Sequence, residues 1–222
     1  MRTIAIGDIH GHTVALDAII EAVQPTPDDL LIFLGDYVDR GPDSKGVIDR
    51  LLEWQQRWRM VCLRGNHELM MERSRTDRSE LKMWLSVGGT QTLASYLNPG
   101  QKANLDAVPE EHWTFLTEGL FDFFETETHI FVHANLNPAL PLEEQTEENL
   151  FWDFLEGEVV HCSGKIMVCG HTSDVQEGIR SWPKTICLDS GIYKGGFLSA
   201  MDMATREFWQ ADEAGKVLTG RM

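Results

Sequence analysis

Gly35-Asp36-Tyr37-Val38-Asp39-Arg40-Gly41 is the stretch whose reading decides the fold. It follows the apolar run Leu30-Leu31-Ile32-Phe33-Leu34 and precedes an amphipathic segment. The pattern is a strand, a tight turn and a helix. The turn sets two carboxylates and a guanidinium within five residues, between two glycines. Burying charge is costly unless the charge is paired, so packing does not ask for this cluster at the end of a buried strand. A metal or a phosphate does.

Two more stretches share the grammar. Thr3-Ile4-Ala5-Ile6 runs into Gly7-Asp8-Ile9-His10-Gly11, and Met60-Val61-Cys62-Leu63 runs into Arg64-Gly65-Asn66-His67-Glu68. Glycine lets the backbone turn sharply and approach a bound ion closely. Parallel sheets place their sites beyond the carboxyl ends of strands, so such turns converge. Downstream, Ile130-Phe131-Val132 delivers His133, and Ile166-Met167-Val168-Cys169 delivers Gly170-His171. Five strand ends thus offer Asp8, His10, Asp36, Asn66, His133 and His171.

Between these turns the periodicity is helical. Leu16, Ile19, Ile20 and Val23 form one apolar face, and Val47, Ile48, Leu51 and Leu52 another. Gly41-Pro42-Asp43-Ser44 reads as a turn and helix cap. Alternating strands and helices open an α/β fold. From Asn66 to about Leu120 the reading is helical: Asp77–Val87 carries Leu81, Trp84 and Leu85, Gly88-Gly89 breaks it, and a short helix with Leu93 and Tyr96 ends at Asn98-Pro99-Gly100. We take about 69–120 as a cap-like helical insertion in a single domain spanning 1–222; plain layer helices are the alternative. The second half turns to β, with hairpins at Phe121–Val132 and Phe197–Ala211. Leu142–Glu158 is acidic and reads as a lid or a surface helix. The expected architecture is two packed mixed sheets flanked by helices.

With 222 residues the chain is long enough for one large domain. Its net charge of −16 repels nucleic-acid backbones and excludes that class of partner. No apolar run is long enough for a membrane span. Met1-Arg2 leads straight into a strand without a signal peptide, and the four cysteines form no Cys-x-x-Cys pair. The expectation is a cytoplasmic protein with reduced thiols.

Mixed oxygen and nitrogen ligands suit two first-row divalent ions, manganese first, with iron or zinc next. A shared carboxylate holds such ions roughly 3.5–4 Å apart and acidifies a water between them; Asp36, in the middle of the set, is the choice for the bridge. Arg40 supplies a bidentate clamp for phosphate oxygens. His67, beside Asn66, is the acid for the leaving oxygen. Asp39 is the carboxylate that fixes its tautomer, as in a triad.

Gly7–Gly11, Gly35–Gly41 and Gly65–Glu68, with His133-Ala134 and Gly170-His171, resemble the signatures of the calcineurin-like metallophosphoesterases. In detail the chain is similar to the phosphoprotein phosphatase (serine/threonine protein phosphatase) family, especially its compact bacterial and phage members, over roughly residues 3–203. The resemblance implies that Asp8, His10 and Asp36 hold one metal and that Asp36, Asn66, His133 and His171 hold the other. It also implies His67 as general acid paired with Asp39, and Arg40 on phosphate. Ser173 stands where many wider-family members have a second histidine, so one ion should bind more weakly. The arginine that small bacterial members carry after a Trp is missing: Trp152 is followed by Asp153 and Phe154. Lys165, Arg180 and Lys194 are the cations left to replace it.

The expected substrate is a phosphorylated protein or peptide, or a small phosphoester. Dinucleoside tetraphosphate hydrolases share the metal core, but tend to carry a neutral residue at position 39 and Asp at position 68. A catalytically inactive binding module is the third reading, and the complete ligand set argues against it. His12, His112, His129 and His161 read as structural, Glu68 as a brace, and Trp84, Tyr96 and Trp152 as packing. Tyr193, in a glycine-rich turn after Asp189, is placed either over the site or away from it.

Overall fold

The computed structural model describes residues 1–97 and 104–222; the expected helix end at Asn98-Pro99-Gly100 lies outside them. The first half builds β1 (Thr3–Ile6), α1 (Thr13–Val23), β2 (Leu30–Phe33), α2 (Ser44–Trp54) and β3 (Arg59–Cys62). Helices α3 (Asn66–Arg73), α4 (Arg78–Trp84), α5 (Thr90–Ser95) and α6 (Glu110–Glu118) follow. The second half contributes β4 (Phe123–Glu125), β5 (His129–Val132), α7 (Glu147–Phe151), β6 (Ile166–Cys169), β7 (Arg180–Ser181) and β8 (Thr185–Cys187). It closes with β9 (Leu198–Asp202), β10 (Glu207–Ala211) and β11 (Val217–Arg221).

Two mixed sheets result, in the orders β11-β10-β9-β1-β2-β3 and β4-β5-β6-β8-β7. The strands that deliver the site are parallel: β1 with β2, β2 with β3, β5 with β6, and β6 with β8. Alternation along each strand sorts the core. Ala5, Ile32 and Val61 face Phe131, Val168 and Ile186 of the other sheet. Ile4, Ile6, Leu31 and Phe33 turn outward onto Leu16, Ile19, Val47 and Leu51 of α1 and α2. The two sheets with their outer helices match the expected architecture.

The helical block after β3 buries Met70, Met71, Trp84, Leu93, Trp113 and Phe115 in the same cluster as Leu31 and Val47. Gly88 sits at φ 133 in a π-helical turn over Leu85–Gly89. A Cβ there would lie 2.7 Å from Arg40 N, so the break lets two backbones meet beside the site. The acidic segment 142–158 is neither a detached lid nor a plain surface helix. Leu142, Leu150, Phe151 and Leu155 pack on Ile130, Val132 and Met167, covering the outer face of the second sheet. Its acidic residues hid that face. Strands β7 and β11 lacked a signal: β7 is two residues long, and β11 is largely exposed with Gly220 inside it.

Candidate active site

The carboxyl ends of β1, β2, β3, β5 and β6 carry all nine residues named above. Seven are buried, and Arg40 and His171 are half-buried. Asp36 lies at the centre. Its Oδ2 is 3.4 Å from His10 Nε2 and 4.0 Å from His67 Nε2, and its Oδ1 is 3.4 Å from His133 Nε2. His133 Nε2 is also 3.0 Å from Asn66 Oδ1. The ring centroids of His133 and His171 are 5.1 Å apart. Two donor trios form, His10–Asp36–His67 and Asp36–His133–His171, with the atoms of each within 4.8 Å of one another. Asp36 belongs to both. Asp8 closes the gap between the sheets: its carboxylate accepts from His171 N at 3.0 and 3.2 Å.

Glu68 braces this geometry. Its carboxylate accepts from the amides of Asp36, Tyr37, Val38 and Gly65 at 2.8–3.2 Å. One side chain thereby ties the turn after β2 to the turn after β3. Gly35, at φ 105, permits the contact, because a Cβ would lie 2.8 Å from both Gly65 N and His133 Nδ1. His10, Asp36, Asp39, Arg40 and His171 all hold positive φ without being glycine. Such conformations cost about 1–3 kcal/mol each and persist where surrounding structure imposes them.

The donor chemistry fits divalent cations. His10 Nδ1 lies 2.9 Å from Val38 O, His133 Nδ1 2.8 Å from Leu34 O, and His171 Nε2 3.2 Å from Trp152 O. Each carbonyl takes one ring nitrogen as its N–H donor and so makes the other the lone-pair nitrogen, the usual support for a metal-binding imidazole. Burial pushes all three imidazoles down, His171 to about 4, so they are neutral as a metal ligand must be. Burial, then Asp189 and Asp36, push Asp8 well above the usual carboxylate range. Crowded buried carboxylates beside neutral imidazoles are what a bound cation relieves.

Asp39 is fully buried and saturated with donors. His67 Nδ1 lies 2.6 Å from its Oδ2, and Trp84 Nε1 donates to both oxygens at 2.8 and 3.0 Å. Thr92 Oγ1 donates to Oδ1 at 2.6 Å. Burial alone would push His67 down, but Asp36 and Asp39 prevail and raise it. Engaging Nδ1 leaves Nε2 facing Asp36 and the cleft.

The sequence profile of the calcineurin-like phosphoesterases matches residues 1–184. The chain belongs to that family. The family is binuclear and metal-dependent, and its substrates carry a phosphoester; this phosphoesterase is a phosphoric ester hydrolase by the same membership. Among its relatives, serine/threonine-protein phosphatase 2 of Escherichia coli is 30% identical over 204 residues, 87% of this chain and 89% of that protein. Serine/threonine-protein phosphatase 1 of Salmonella typhimurium is 40% identical over 85 residues, which span 38% of this chain and 37% of that protein. Among solved structures, a candidate diadenosine tetraphosphatase aligns with a TM-score of 0.69 at 23% identity, covering 99% of this chain and 92% of the other. A cold-active protein tyrosine phosphatase aligns at 0.66 and 16% identity, covering 98% and 78%. At these identities the two structures bear on the fold alone.

The phosphoesterase also carries site residues that spacing did not reveal. Trp84 read as packing from its helical position and Thr92 carried no reading of its own, yet both hold Asp39. Asp189, at the end of β8, is buried and accepts from Gly191 N at 2.9 Å; burial pushes it up to about 6. Tyr193 does overhang the site. Its ring meets the His10 ring edge-on at 4.8 Å and lies 4.1 Å from the Arg40 guanidinium, whose Nη1 donates to His10 Nε2 at 3.0 Å. Of the three spare cations, Lys165 pairs with Glu125 and Arg180 donates to Thr172 O and Cys187 Sγ. Lys194 donates to Ser173 Oγ at 2.7 Å and lies 5.1 Å over the Tyr193 ring, the ring that meets His10. His12, His112, His129 and His161 stand apart from these two trios. Among the described residues, no helix is long and apolar enough to cross a membrane.

Proposed function

We propose that this phosphoesterase is a serine/threonine protein phosphatase that also accepts small phosphoesters. The observation that carries the reading is the buried His67–Asp39 pair at 2.6 Å, beside Arg40 and the two donor trios around Asp36. Asp8, His10 and Asp36 would hold one divalent ion, and Asp36, Asn66, His133 and His171 the other, with manganese the first choice. When bound, the ions neutralise the phosphoryl charge and supply an acidified water. The remaining work falls to side chains. Arg40 presents its guanidinium to the phosphoryl oxygens. His67 donates its Nε2 proton to the leaving alkoxide as the O–P bond breaks, giving the free alcohol and inorganic phosphate. Asp39 holds Nδ1–H and supports the imidazolium in the resting enzyme. The helical block at about 69–120 acts as a side wall of the same domain, since Trp84 and Thr92 reach Asp39 from it.

The competing reading is a symmetrical dinucleoside tetraphosphate hydrolase. A phosphoserine peptide and diadenosine tetraphosphate, compared by kcat/KM with manganese present, separate the two. We expect the peptide to be preferred. A preference for the dinucleotide by orders of magnitude defeats the reading.

A further inference from the structure

Tyr193, Arg40 and Lys194 form a cationic wall beside His10, with both cations over the tyrosine ring. Phe154 lies beside His171. The residue is 68% exposed, yet its ring stacks on the His171 imidazole at 4.9 Å between centroids and 26° between planes.

Phe154 is held from both directions. Trp152 O faces His171 Nε2 at 3.2 Å, two residues before it. Leu155 N donates to Thr172 Oγ1 at 2.8 Å, and the Leu155 side chain is buried. Asn135 Nδ2 donates to Phe154 O at 3.3 Å. The same loop that delivers His171 therefore holds the backbone on either side of the phenyl ring. One face covers the imidazole and the other meets solvent. A single exposed apolar residue needs no explanation by itself. An anchored one, stacked on a residue of the active centre, offers a flat apolar surface beside the second donor trio.

We propose that Phe154 is a specificity-determining residue of the reaction set out above: its open face takes an aromatic ring on the leaving side of the phosphoester. The phosphate stays on the cationic wall and at the donor trios. The ring of a phenolic phosphoester, as in phosphotyrosine, lies over Phe154, whereas the short alkyl chain of phosphoserine makes no such contact. Aromatic pairs of this kind are worth a few-fold to about tenfold in affinity.

The test uses the full chain loaded with manganese and two peptides of one sequence, phosphorylated on tyrosine or on serine. The variants are Phe154→Ala and Phe154→Trp. We expect Phe154→Ala to lower the tyrosine-to-serine ratio of kcat/KM about fivefold, through KM, and Phe154→Trp to keep or raise it. Manganese affinity, measured by calorimetry without substrate, checks the other role a stacked ring can have, that of shielding His171. An unchanged ratio, an equal loss on both peptides with weaker manganese binding, or a wild type inert toward phosphotyrosine each overturns the proposal. A ring effect confined to diadenosine tetraphosphate also overturns it, because the stacked ring would then be a nucleobase. Inertness of the wild type toward the phosphoserine peptide instead overturns the serine/threonine reading, so the two failures are distinguishable.

Discussion

Replacing Trp84 with Phe should impair both stability and proton transfer, although Trp84 belongs to neither donor trio. Its indole N–H is one of three side-chain donors on the fully buried Asp39 carboxylate. A hydrogen bond to a charged group contributes about 1.5–3 kcal/mol. Shrinking the ring opens roughly 40 Å³, and at about 24 cal/mol per Å³ the void adds about 1 kcal/mol. The expected loss is therefore about 3 kcal/mol in urea unfolding. The catalytic effect has a sign. Burial pushes Asp39 up, while His67, Thr92 and Trp84 pull it down. Without the indole donor the carboxylate is more basic, and it holds the His67 proton more tightly. The alkaline limb of kcat, where the general acid deprotonates, should move to higher pH, and a tighter-held proton makes a poorer acid. The assay is kcat against pH on an alkyl phosphoester with manganese, beside equilibrium unfolding. A variant that unfolds earlier but keeps its alkaline limb in place refutes the claim that Trp84 positions the acid.

Two further outcomes can be checked on the same material. Chelation with EDTA should abolish phosphoester hydrolysis, and added manganese should restore it; full turnover in chelator removes the two-metal mechanism. Arg2 reaches Asp29 through two side-chain bonds, at 2.8 and 3.2 Å, and that contact holds the buried carboxyl below its ordinary range. A depressed folded-state pKa contributes stability that is present above the unfolded value near 3.9 and lost as pH falls. Wild type should therefore lose about 1–2 kcal/mol more than Arg2→Met between pH 5 and pH 2, and parallel acid-unfolding curves would contradict this.

The centre of the molecule was legible because its chemistry is local in sequence. Each candidate donor sits within four residues of a strand end, and glycines mark the turns, so the strand pattern of the first sixty-odd residues showed the parallel order, and with two later strands it showed which residues meet around Asp36. Glu68 was legible as a brace for the same reason, since it lies two residues from Asn66. What supports the centre was not local. Trp84 and Thr92 lie 45 and 53 residues from the carboxylate they hold, and helical spacing describes only the apolar side of each. The covering role of 142–158 was hidden by charge: Leu142, Leu150 and Leu155 are too few, and too widely spaced among acids, for periodicity to show the buried face. Phe154 is the reverse case. Its neighbours predict nothing, and its relation to His171 exists only once the two loops meet.

Of the seven non-glycine residues at positive φ among the described residues, five are His10, Asp36, Asp39, Arg40 and His171. The conformations least favourable to an L-amino acid are thus concentrated where the chemistry is proposed. A library selected only for resistance to heat should accumulate Gly or Asn at these positions. Hardened descendants of this protein would then keep its sheets and helices intact while falling silent as catalysts.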